Sequence, residues 1–466
     1  MTMLAVELDD RALAIARDGR LLSIEPSAVC GVAAEPAELL VGAAAWDRAR
    51  SMPTRTSTHH LDALLVPPGS DRADSTLLGV ELRQRLAAVR ADEAASAAQS
   101  SDEPIWFVTP ARASTAGLSQ LLGVARRSSV PVAGFVDAAV VSTAALDCTG
   151  AAIVLQLGLH HAGAVLVDAA GGEARRRRSL VADSCGLLEL YQSWLDLIRA
   201  TLIRHTRFDP LHSASGEQQL FSALPALIAE AAGNSTARVQ VHDGSRHYQV
   251  DLSLEQLTRA AQQPIGKLTE LAHRLRPAGT ALDLIVPRFA AALPGMQAAL
   301  GSFHNCRLLL LPDGFAATAA SSGVLPGCHP ERVRWLRALR KAPSERLQAQ
   351  VSTQVAAAQA QGVVPSHVLS ASQVYPVGQT VLIGREVAGP ATIRVGASVP
   401  GVSRRHCTLL HDGTQVTLLD HSSFGTFVND ERVLERVRVY AGDQIRLGEP
   451  GTTLTLFVLG GGATPG

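Results

Sequence analysis

The chain has 466 residues, 47% of them apolar, with 42 acidic side chains balancing 42 basic ones. That length can bury large cores in two to four domains, and a net charge of zero gives no overall field to draw nucleic acid or an acidic membrane surface. Six scattered cysteines without a C-x-x-C pair argue against zinc clusters and a disulfide framework, so a reducing cytoplasm is expected. The opening MTMLAVELDDRALAIARDG has acidic residues early and no basic-then-apolar leader pattern. The most apolar stretch, 130–170, is broken by Asp137, Asp147, Gln156, His160 and His161. It therefore predicts buried strands and a small-residue helix rather than membrane insertion.

Along residues 1–325, strand-like runs such as AAIVLQLG, HAGAVLVDAA, ALDLIVP and CRLLLLP alternate with helical ones, and GLLELYQSWLDLIRATLIR has apolar residues at helical spacing. The mixture predicts an α/β region. Arg175 to Arg178 read as an exposed strand end or turn, and with no aromatic residues interleaved they do not predict nucleic-acid binding. Residues 326–372, rich in Arg, Gln, Ala and Ser, read as a linker with one surface helix at its start. From 373 to 459 short β-rich runs (TVLIGR, ATIRVG, HCTLLHDG, QVTLLD, GTFVN, DQIRLG, TTLTLFVL) predict an all-β sandwich, followed by a tail at 460–466. Asp412-Gly413 marks a hairpin whose two central residues are both expected at positive φ.

Three motifs follow one another in the C-terminal region: Gly384-Arg385 after a strand, Ser403-Arg404-Arg405-His406, and Ser422-Ser423-Phe424-Gly425-Thr426 leading into FVN. Their order and spacing resemble the forkhead-associated (FHA) family, which recognises phosphothreonine. A phosphothreonine carries about −1.5 to −2 charges and three strong acceptor oxygens, so a receptor needs a cation and hydroxyl or backbone donors converging from several loops. The resemblance implies that Arg385 and Ser403 hold the phosphate, that Ser423 assists, and that Arg404, Phe424 and Thr426 complete the peptide surface. Gly384, His406, Gly425 and Asn429 are then structural, with His406 bracing a loop. Phe424 stands where the family pattern usually has asparagine, whose amide bonds the peptide backbone; a phenyl ring cannot. Weaker affinity, or selection of the peptide by apolar contact, is the expected consequence.

The N-terminal segments LAVELDDRALAIARDGRLLSIEPS, ELLVGAAAWDRARSMPTRT, IWFVTPARASTAGLSQLLGVARRSSVPVAGFVDAAVVSTAAL, AAIVLQLGLHHAGAVLVD and LLLLPDGFAATAASSG resemble, in order, the ATPase domain of seventy-kilodalton heat-shock chaperones. More broadly they resemble the actin-like fold, a duplicated ribonuclease H-like architecture. The family's nucleotide chemistry is not retained. Its first phosphate turn needs glycines and hydroxyls, where this chain has Glu7, Leu8, Asp9, Asp10 and Arg11, and Asp9 would put a carboxylate in the triphosphate's place. The second hairpin offers Gln156, Leu157, Gly158, Leu159, His160 and His161 instead of an aspartate and glycines. Val286-Pro287-Arg288 replaces the adenosine turn, and no lysine precedes Lys267.

These departures predict a degenerate nucleotide site (Glu7, Asp9, Gln156, Gly158) without ATP hydrolysis, catalytic residues, cofactor or metal. Adjacent His160 and His161 are expected to face opposite ways, and Glu7, Asp9 and Asp10 to be solvated turn residues rather than an acid–base pair. The chain thus reads as a cytoplasmic, bacterial-type phosphothreonine-dependent adaptor in Ser/Thr kinase signalling, partnered by a phosphothreonine-containing protein and the kinase that marks it. A divergent ATPase regulated through the FHA module, and a phosphate-independent assembly scaffold, are the competing readings.

Overall fold

A computed structural model of the chain describes residues 3–32, 38–65, 72–94, 103–277, 281–303, 306–327, 333–355, 364–371, 373–396 and 399–458. Two mixed sheets organise the N-terminal region. In the first, Leu4–Leu8, Ala12–Arg17 and Arg20–Pro26 form an antiparallel meander. Its first strand also pairs in parallel with Ile105–Thr109, which pairs in parallel with Val132–Asp137. The second sheet repeats the plan. Ala151–Leu157, His161–Asp168 and Glu173–Asp183 form the meander, and Ala151–Leu157 pairs in parallel with Leu282–Pro287, itself parallel to Cys306–Leu311. One strand order therefore occurs twice in the chain.

Alanine and valine at almost every position of Ala138–Ala144 let that wholly buried helix lie close to Phe315–Ala319 between the sheets. Asp137 caps it, accepting from the N–H groups of Ala139 and Val140 at 2.9 and 3.2 Å. The far face of the first sheet is covered by Thr115–Arg127, started by a Ser114 cap and burying Leu118, Leu121, Val124 and Ala125 at helical spacing. On the second sheet, Leu187–Thr206, Ala214–Asn234 and Leu254–Leu275 pack with the hairpin Thr236–Ser253 around Trp194 and Phe221.

Residues 333–355 correct the linker expectation. Trp335–Leu336 joins the first sheet beside Phe135 and Val136, Ala338–Arg340 pairs with the strand Glu173–Asp183, and Ser352–Val355 pairs with Cys306–Leu311. Among the described residues the helix in this segment is the single turn Glu345–Gln348, and the strands at Trp335–Leu336 and Ala338–Arg340 stand where the surface helix was expected. Weak apolar periodicity misleads here because a strand or helix of three or four residues needs only one buried side chain, Leu339 in the strand Ala338–Arg340 and Leu347 in the helical turn. Arg175 to Arg178 likewise lie within the strand Glu173–Asp183, where Arg176 is buried against Asp137 at 2.5 Å. Of the two expectations the exposed strand end holds for Arg175, Arg177 and Arg178, and Arg176 is the exception.

The C-terminal region is a sandwich of two sheets. One runs in the order Gln373–Pro376, His367–Ser370, Thr452–Phe457, Gln444–Leu447, Thr426–Val428 and Glu431–Arg432; the other Thr392–Arg394, Thr380–Gly384, Cys407–His411, Val416–Asp420 and Arg436–Val439. Val381, Ile383, Leu409, Leu418, Ile445 and Leu454 interlock between them. His367–Ser370 pairs with Thr452–Phe457, so the module starts before residue 373. At the 412–415 turn only Gly413 has positive φ, +97°. The Asp412 carboxylate instead accepts from the N–H groups of Thr414 and Gln415 at 2.9 Å each, a side-chain-braced turn in place of the expected two-residue one.

Candidate functional site

Three loops meet at one end of the sandwich. The strand Thr380–Gly384 delivers Arg385, whose backbone N–H donates to the Ser403 carbonyl at 3.1 Å. Gly384 is required by that approach, since a Cβ there would lie 2.2 Å from the Arg404 carbonyl oxygen. The Ser403 hydroxyl accepts from the Ser423 N–H at 3.1 Å, which ties the second loop to the third and leaves the hydroxyl proton to donate outward. The Nε–H of Arg385 is buried with no partner among the described residues. Arg404, Arg405, Ser423 and Phe424 are exposed, Phe424 at 60%.

His406 joins the same loops from beneath. Its Nδ1 accepts from the Ser403 N–H at 2.9 Å, and its Nε2–H donates to the Gly425 carbonyl at 3.2 Å. Burial pushes its pKa below the ordinary imidazole value, in keeping with this neutral tautomer. Gly425 has φ +82°, a conformation side chains resist, at the point where the third loop re-enters a strand. Asn429 is buried, donating to Asp443 and accepting from the Gln444 N–H, both at 2.9 Å. Thr426 departs from expectation: it is fully buried, and its hydroxyl donates to Asp420 at 2.6 Å. It shapes the loop from inside and offers nothing to a peptide. Asp420, which also receives the Ser422 N–H at 2.9 Å, is the residue that sequence reasoning missed. The polar group three residues before the loop tip was its only signal.

Glu7, Asp9, Gln156 and Gly158, expected above to form a degenerate nucleotide site, line one cavity of about 80 Å³, together with Arg11, Phe289 and Asp313. Glu7 accepts from the Ala317 N–H at 3.1 Å, Asp9 from the Arg11 N–H at 2.9 Å, and Gln156 from the Ala111 N–H at 2.7 Å. Asp9 does not reach the second hairpin; Asp10 does. Its carboxylate receives the N–H groups of Leu159 and His160 at 2.8 and 2.9 Å, and a Cβ on Gly158 would lie 2.3 Å from its Oδ1. These hairpin donors are thus bound to a carboxylate of the chain itself. Asp10 is 2% exposed while Glu7 and Asp9 are half-buried, so the expectation of solvated turn carboxylates is corrected for Asp10.

His160 and His161 part company. His160 stacks on His59 at 3.4 Å, while His161 Nδ1 lies 3.3 Å from Asp10 and 3.4 Å from Asp62, with Arg112 on Asp62 at 2.6 Å. Asp10, Asp62 and His161 bring their ligating atoms within 4.8 Å of one another. The two backbone donors hold Asp10 and the Arg112 guanidinium offsets the charge of Asp62, which makes the group a charge-compensated clasp. Burial opposes protonation of His161, but the Asp10 carboxylate outweighs it and the imidazole pKa rises. Asp10 itself is held below the carboxylate range by His161 and the two N–H groups, against its own burial. Across the cavity, Arg11 pairs with Asp313 at 2.9 Å and lies over the Phe289 ring at 3.9 Å.

A sandwich that presents a guanidinium, a hydroxyl and backbone donors from adjoining loops is an anion-recognition module. Residues 381–448 match the family model described as FHA domain, which implies phosphopeptide binding with phosphothreonine as the mark. No curated protein matches the chain. Among the described residues no helix is long and apolar enough to cross a membrane.

Proposed function

We propose that the protein is a phosphothreonine-dependent adaptor of Ser/Thr kinase signalling, in which the N-terminal α/β region is a scaffold that has given up nucleotide hydrolysis. The observation that carries the reader function is the loop junction at Arg385 and Ser403. There the two backbones are hydrogen-bonded within an FHA-matching sandwich, one residue carrying an unpaired guanidinium N–H and the other a hydroxyl with a free proton. Isothermal titration of the full chain with matched phosphothreonine and threonine peptides tests it. Binding is expected for the phosphorylated peptide alone, and equal binding of both would refute it.

The scaffold reading is supported by the repeated strand order, the arrangement expected of an actin-like duplication, and by the Asp10 carboxylate on the second hairpin. Ligand pockets usually measure about 300–1,000 Å³. The 80 Å³ space at the hairpins is well below that, and Arg11 closes it towards Asp313. Titration with ATP and magnesium is expected to give no heat of binding and no turnover; micromolar binding with hydrolysis would favour a regulated ATPase.

A further inference from the structure

A second cavity, about 490 Å³, opens between the two halves of the N-terminal region. Ile24, Trp46, Leu187, Ile228, Phe289 and Leu293 supply most of its wall. The helix Ala214–Asn234 turns Pro225, Ile228, Ala229 and Ala232 towards it, a stripe at helical spacing of which Pro225, Ala229 and Ala232 are exposed. Its volume falls within the usual range for small-molecule sites, about 300–1,000 Å³, and such sites favour domain junctions and apolar walls with a few polar groups.

The polar groups define what would fit. Tyr191 is 8% exposed, its ring is held edge-on by Phe221 at 5.7 Å, and among the described residues nothing bonds to its hydroxyl. The hydroxyl of this cavity-lining residue is therefore free to donate to a ligand oxygen. Burial raises the phenol pKa despite the nearby Arg11 guanidinium, so the group remains a donor at neutral pH. The charged residues at the cavity are already paired, Arg11 with Asp313 at 2.9 Å and Glu25 with Arg85 at 3.5 Å. They leave no excess charge to attract an ion. Trp46, Tyr191 and Phe289 make the wall aromatic, one face of Phe289 being taken by the Arg11 guanidinium.

We infer that this cleft binds a neutral, planar, largely apolar small molecule through a carbonyl oxygen that accepts from the Tyr191 hydroxyl. The site is separate from the phosphopeptide loops and takes a ligand unlike a nucleotide in charge and polarity. Prodan, a naphthalene carrying one ketone, matches this description, and its emission reports both polarity and hydrogen bonding to the carbonyl. Titrated into the full chain, it is expected to bind saturably, one molecule per chain, with blue-shifted emission. Ala229→Trp, at an exposed wall position, is expected to plug the cleft and abolish the signal. Tyr191→Phe should keep the fold and weaken binding about fivefold, the equivalent of one hydrogen bond. Absence of saturable binding overturns the inference, as does binding that survives Ala229→Trp or is unchanged in Tyr191→Phe. Circular dichroism of both variants separates loss of the site from loss of the fold.

Discussion

Recognition of a phosphate dianion comes down to how few donors can be left waiting for it. Arg385 keeps a buried N–H unpaired, and its backbone and that of Glu386 are fixed by bonds to the Ser403 and Arg404 carbonyls. Removing one partner of such a charge pair costs about 2–5 kcal/mol, or about thirtyfold and more in affinity. Arg385→Ala is expected to lose at least that much for a phosphothreonine peptide while the domain stays folded, as measured by titration and thermal melting. Phe424, 60% exposed on the third loop, gives a test in the other direction. Phe424→Asn restores an amide that can bond the peptide backbone, and a gain of about fivefold is expected from one neutral hydrogen bond. Unchanged or weaker binding in Phe424→Asn would show that the ring itself makes the contact.

At the scale of elements, the clasp between the first turn and the second hairpin has a definite pH signature. His161 is faced by Asp10, Asp62, Arg112 and neighbouring His160, and its pKa is raised in the folded chain. Such a group adds stability that is complete below its unfolded value, about 6.5, and is lost as pH rises through the folded value. The melting temperature of the N-terminal region should therefore fall above about pH 6.5, and His161→Gln should flatten that fall. Asp10 acts in the opposite sense, its depressed pKa giving stability that is lost only in acid. Asp10→Ala would strand two backbone N–H groups, costing about 1–3 kcal/mol for each. Little of this clasp could be read from the chain, because Asp10 and Leu159 lie 149 residues apart. Arg385, Ser403 and His406 were legible because each sits in a contiguous motif whose order mirrors the loops. The burial of Thr426 was not, since its partner Asp420 belongs to the preceding strand and motif spacing does not say which way a hydroxyl turns.

For the molecule as a whole, strand and helix patterns announced an α/β region followed by a β-sandwich, and failed where short edge strands close the sheets. Leu339 and Leu347, both in the segment read as linker, are buried in the core between the sheets. Removing such a side chain costs about 2–5 kcal/mol. A fragment ending at 325 should thus melt well below one ending at 355, and equal melting temperatures would contradict the assignment of these strands. The strand Thr426–Val428 also has two distinct ends. At one, Gly425 meets His406 under the phosphate loops; beyond the other, Asp430 lies 3.5 Å from Arg274 of the N-terminal region. The contact between the two regions therefore leaves Arg404, Arg405, Ser423 and Phe424 open to a partner.

The most direct measurement is retention of the full chain on two immobilised degenerate peptide libraries, identical except that one carries phosphothreonine and the other threonine. Retention by the phosphothreonine library alone, abolished by Arg385→Ala, is the predicted result. Equal retention on both libraries, or retention that survives Arg385→Ala, would contradict it.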